Sequence, residues 1–92
     1  MHLNVDWWTV LLAYVLITVK SGSEREFLKG ISKFKEVIEA NLVIGENDIV
    51  IKIDVQDVGH MDKFLTEKLR VLPEVFLTTT MIITEQVKPK EV

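Results

Sequence analysis

Apolar residues dominate Thr9 to Lys20, TVLLAYVLITVK. A run rich in Val, Ile, Leu and Thr predicts a strand. Both alternating sets are apolar: Leu12, Tyr14 and Leu16 on one side, Leu11, Ala13, Val15 and Ile17 on the other. A strand apolar on both faces is expected to be covered on both. The period then changes. Phe27, Leu28, Ile31 and Phe34 recur at helical spacing within residues 21–37. Ser23 followed by Glu26 has the form of a capping box, in which hydroxyl and carboxylate satisfy the first free amides of a helix. Arg25, Lys29 and Lys33 share another face and read as a solvated basic stripe.

Two more strand-like runs follow, VIEANLVI and DIVIKIDV, around a polar Gly-Glu-Asn-Asp. In the second, Ile49, Ile51, Ile53 and Val55 alternate with Val50, Lys52 and Asp54. Asp57 is placed to cap a helix over 58–72, with Val58, Met61, Phe64, Leu65, Leu69 and Leu72 as its apolar stripe. Pro73 ends it. Residues 74–87 predict a fourth strand, and 88–92 a polar tail. The order is β-α-β-β-α-β. Right-handed crossovers then place both helices on one face of a four-stranded antiparallel sheet, an α+β, ferredoxin-like sandwich. One domain is expected over 1–92, with its core at about 10–87. Helices cover only one sheet face, so the doubly apolar first strand needs a second cover. Another copy of the same sheet is the simplest one.

Composition supports this. Hydrophobic residues are 48% of 92 and mean hydropathy is +0.23, rich for a short chain. A net charge of −3 argues against direct nucleic-acid binding, which favours a basic surface. Cysteine is absent, so disulfides and thiolate chemistry are excluded, and a cytoplasmic location fits. The apolar run Trp7–Val19 has 13 residues, short of the roughly 20 that cross a bilayer. Trp7 and Trp8 read as a buried or interface pair. His2 and His60 form no metal-ligand motif, and His60 reads as a surface residue. No cofactor or metal is expected.

The run Gly45-Glu46-Asn47-Asp48 is at least a hairpin loop, since Gly and Asn tolerate turn conformations and Asp bonds local backbone. It could also hold a ligand: exposed amides suit a carboxylate, and Asp48 suits an ammonium. The Gly45-x-x-Asp48 hairpin, the Leu72-Pro73-x-Val75 after the second helix, and Thr78-x-Thr80 in the last strand occur in the order of the RAM domain. This is the effector-binding domain of the Lrp/AsnC leucine-responsive regulators, and residues 12–88 resemble it. The resemblance implies a homodimer with facing sheets. It also implies assembly into an octamer or decamer and an amino acid bound where dimers meet. By that resemblance Gly45, Asp48, Thr78 and Thr80 lie at the effector, with Glu46, Asn47 and Met81 as neighbours. The family's helix-turn-helix domain has no counterpart before residue 12. The expectation is a stand-alone RAM domain that pairs with full-length relatives. Two other readings share the strand order: a small dimeric α+β-barrel enzyme, and an ACT-type amino-acid module with Gly22 at its turn.

Overall fold

The structure, a computed structural model, describes residues 10–87; Trp7, Trp8 and the 88–92 tail lie outside them. The elements are β1 (Leu11–Val19), α1 (Glu24–Ile31), β2 (Val37–Leu42), β3 (Ile49–Val55), α2 (Val58–Lys63) and β4 (Val75–Ile82). A π-helical stretch, Phe64–Leu69, continues α2. Neighbouring strands are antiparallel in the order β2-β3-β1-β4, with β1 and β3 central. This is the ferredoxin-like topology that the hydrophobic pattern predicts.

The central strands carry the core because their alternation is strict. Ala13, Val15, Ile17 and Val19 of β1, with Ile49, Ile51, Ile53 and Val55 of β3, are buried. Phe27 and Ile31 of α1, Met61 of α2, and Phe64, Leu65 and Leu69 of the π-helical stretch complete the cluster. Directly paired residues share a sheet face. The opposite face therefore carries Leu12, Tyr14, Leu16 and Thr18 from β1 and Val50, Lys52 and Asp54 from β3. Leu77, Thr79 and Met81 of β4 join them. Leu77 remains 63% exposed and Met81 49%. This face is apolar along β1 and β4 and charged toward β3 and β2, where Glu39 pairs with Lys52.

The helix ends depart from the sequence reading. The Ser23 hydroxyl makes no capping bond, so there is no capping box. Its carbonyl accepts the first helical bond, from the Phe27 N–H at 2.9 Å, as an N-cap carbonyl ordinarily does. The Glu24 carboxylate accepts from the Gly22 N–H at 3.0 Å. Gly22 has φ +91°, a left-handed conformation that side-chain-bearing residues seldom take, and it sets the turn into α1. α1 stops at Ile31 because the chain then tightens into successive i→i+3 bonds, Lys33 to Gly30, Phe34 to Ile31 and Val37 to Phe34. Val58 is 52% exposed and stands outside the core. Asp57, by contrast, caps α2 as expected: its Oδ1 accepts from the His60 N–H at 2.9 Å. The His60 ring lies 2.7 Å from the same oxygen, at the surface. Thermal melting should separate the two ends. Asp57→Ala is expected to lower Tm by roughly 4–8 °C, the loss of one cap in a domain of this length. Ser23→Ala should leave Tm within about 2 °C, since no side-chain cap is lost.

Candidate functional site

The hairpin sits at the end of the sheet where β1 finishes. Ile17 pairs with Ile49, so β1 runs two residues past the start of β3. The Asp48 N–H donates to the Ile17 carbonyl at 3.1 Å, and the Val43 N–H to the Asp48 carbonyl at 2.9 Å. The Val19 N–H then lies beyond the last β3 partner, and Asp48 Oδ2 accepts it at 3.0 Å. The Asn47 amide donates to Thr18 Oγ1 at 3.2 Å. Asp48 and Asn47 thus lock the hairpin to the last turn of β1 and stay only partly exposed. Gly45 and Glu46 stand free in solvent. Gly45 does not use a left-handed φ. A Cβ there would meet nothing within 4 Å, so the backbone at this point is open to a neighbour.

The same hairpin walls a shallow depression of about 410 Å³. Leu42, Val43, Ile44 and Asp48 line one side, and Gly22, Glu24, Arg25 and Glu26 line the other. Sequence reasoning placed Arg25 on a solvated stripe and missed that it lines the same depression as Asp48. The available signal was the glycine turn, which folds the start of α1 back toward the β2–β3 end.

The β4 residues lie elsewhere. Thr78 pairs with Ile17 and Thr80 with Val15, so both face the helix side of the sheet. Arg70 Nε donates to Thr78 Oγ1 at 3.4 Å. Thr80 Oγ1 is buried and has no hydrogen-bond partner among the described residues. Met81 pairs with Tyr14 and lies on the opposite, open face. β1 stands between β3 and β4. The hairpin and the threonines are therefore two strand spacings apart, about 9.5 Å. That exceeds the separation of ammonium and carboxylate in an amino acid, so one protomer does not bring all of these residues to one small ligand.

Among the described residues, no group of three or more His, Asp or Glu side chains is placed to hold a metal ion. Nor is any described helix long and apolar enough to cross a membrane.

Comparison with known proteins fits this geometry. The family model described as the Lrp/AsnC ligand binding domain matches residues 12–92. The leucine-responsive regulatory protein of Escherichia coli K12 is 36% identical over 81 aligned positions, with 85% of this chain and 49% of that protein covered. The chain thus spans about half the length of the curated relatives it matches. A crystal structure of a hypothetical protein from Pyrococcus horikoshii superposes with a TM-score of 0.78 at 36% identity, covering 83% of this chain and 92% of that one. A Neisseria meningitidis transcriptional regulator in complex with L-Met shares the fold, with a TM-score of 0.79 at 20% identity. It covers 86% of this chain and 53% of that one. By name, the Escherichia coli relative is a leucine-responsive regulatory protein and the Neisseria meningitidis one a transcriptional regulator.

Proposed function

This chain belongs to the Lrp/AsnC ligand-binding domain family, and from that premise we propose that it binds an amino acid at a site shared between copies. One observation carries the reading: Asp48 and Arg25 line the same depression. A carboxylate and a guanidinium on one depression, beside the further carboxylates Glu24 and Glu26, can meet the ammonium and carboxylate of an α-amino acid. Gly45 leaves the hairpin backbone open to the ligand, with Glu46 and Asn47 beside it. Thr78 is partly exposed on β4, with Thr80 two residues away on the same strand face and its hydroxyl buried behind the strand in the protomer. Those threonines are too far from the hairpin within one protomer, so they reach the ligand from a neighbouring one. The L-Met complex of a regulator with this fold supports the ligand class.

The open sheet face gives the first level of assembly. Leu12, Tyr14, Leu16, Leu77 and Met81 form a continuous apolar stripe there, and a second copy is its natural cover. Dimers then gather into a ring of eight or ten through the hairpin and β4, alone or with a full-length regulator. Such an assembly acts in the cytoplasm as the effector sensor of a transcriptional regulator, with no nucleic-acid contact of its own.

Calorimetry against the twenty amino acids, with Asp48→Asn and Thr80→Val, tests the site. An Asn oxygen still accepts from the Val19 N–H, so the turn survives while the charge is lost. Asp48→Asn should weaken binding about ten- to a hundredfold, the worth of a charge-assisted bond. Thr80→Val keeps the shape and should also weaken it. Unchanged affinity in both variants would leave the hairpin as a turn alone.

A further inference from the structure

Trp7 and Trp8 form an aromatic pair that the hairpin site does not use, and β1 starts at an apolar corner just after them. Leu11 pairs with Val55 and Ala13 with Ile82, so all four face the helix side of the sheet. Leu11 packs against the core, and Ala13 and Val55 are buried within it. Ile82, on the edge strand, is 42% exposed. Beyond Val55 the chain enters α2 at Val58, which is 52% exposed. Val58 shares a helical face with the buried Met61 and Leu65, at i, i+3 and i+7, yet lacks their cover. The start of β1 is therefore flanked by two apolar side chains that the described residues leave half-open, Val58 on the helix and Ile82 on β4.

The chain before Leu11 is the nearest cover. β1 cannot run further back paired with β3, because β3 leaves the sheet for α2 after Val55, and the chain bends at Val10. Trp8 stands three residues before Leu11, a reach of about 10 Å. Leu11 and Ile82 are diagonal neighbours across two strands, about 7–8 Å apart, so the indoles reach the corner. Each indole removes about 150–250 Å² from water when buried, a strong drive to find apolar contact. The other segment leaving this end of the sheet, ITEQVKPKEV after Ile82, has no aromatic residue. The cleft on the β2 flank of α2 is a poorer seat for an indole. Its rim is charged, and Lys68 Nζ and Glu36 Oε2 pair there at 2.8 Å. We propose that residues 1–9 fold back as a strap of the same chain, seating the Trp7–Trp8 indoles on Val58 and Ile82 and closing this end of the helix–sheet core. The strap is independent of the hairpin site.

The chain has two tryptophans, so tryptophan fluorescence of the full chain reports on this pair alone. Its emission should lie to the blue of free tryptophan in water and resist quenching by acrylamide. Val58→Asp should shift it to the red. An acid suits the first turn of a helix, so α2 keeps its start. Should Val58→Asp fail to fold, Ile82→Asp serves, with the same red shift expected. Val71→Asp puts the same charge on a 62% exposed valine at the far end of the helical layer and should leave the emission unchanged. In methyl NMR, the Val58 signals should be displaced by the indole ring currents and move back in the Trp7→Leu, Trp8→Leu double variant. Emission like that of free tryptophan in the unaltered chain would overturn the proposal. So would unchanged emission in Val58→Asp, an equal red shift in Val71→Asp, or Val58 methyls unmoved in the double variant. A red shift in Leu16→Asp, on the open face, would also overturn it, by placing the pair between copies.

Discussion

Leu16→Asp is expected to yield monomers of about 10.6 kDa in light scattering at micromolar concentration, where the unaltered chain scatters as a dimer or larger. Leu16 sits mid-strand on β1, between Val50 of β3 and Thr79 of β4, on the face that no helix covers. It is partly exposed in the isolated protomer, so an Asp there meets water and the monomer keeps its fold. In a sheet-to-sheet dimer the same Asp would face apolar side chains and, across the two-fold axis, lie near its own copy. An unpaired buried charge costs several kcal/mol, enough to undo a dimer of standard size. Glu39→Lys lies on the same face but at the polar β2 edge, and it should leave the mass unchanged. An unaltered chain that scatters as a monomer, or a Leu16→Asp variant that stays assembled, would remove the open face as the dimer contact.

Much of this was legible because period-2 and period-3.6 patterns are strong where burial is one-sided. The alternation in β3 and the double apolarity of β1 gave both the sheet and its two faces. Element ends were less legible because they depend on backbone bonds that leave little trace in side-chain pattern. Phe34 keeps helical spacing yet lies in the turn after α1. The turn into α1 is set by the left-handed Gly22, whose N–H donates to the Glu24 carboxylate, and the Ser23 hydroxyl takes no part in it. The π-helical stretch was hidden for a related reason. Its Arg70 N–H reaches the Leu65 carbonyl, i→i+5, while Phe64, Leu65 and Leu69 still face inward. At the site, alternation alone separates Thr78 and Thr80 from Met81. Their distance from the hairpin is a property of strand order, which places β1 between them. Arg25 escaped notice because it is one charge among many until the fold sets it on the wall of the hairpin depression.

Phe64→Ala should be the most damaging single change to stability. Phe64 opens the π-helical stretch and is only 1% exposed. Its ring meets Phe34 edge-on, with centroids 5.9 Å apart at 87°, and Lys68 Nζ lies 5.9 Å from the Phe34 ring centre on the way to Glu36. Truncation removes apolar burial and leaves a cavity that a rigid helix-on-sheet contact cannot close; such changes cost about 3–5 kcal/mol. Small domains have only about 5–15 kcal/mol in total, so the expected fall in Tm is about 12 °C or more. Val71→Ala is the control, because Val71 is 62% exposed just beyond the same helical segment and should cost under about 0.5 kcal/mol. Phe64→Leu should fall between them, since it restores most of the lost volume. Assembly adds stability to every variant by mass action, so all three belong at one protein concentration. Equal melting of Phe64→Ala and Val71→Ala would mean that the helical layer does not pack on the sheet through this ring. The helix-side wall of the core would then need to be redrawn.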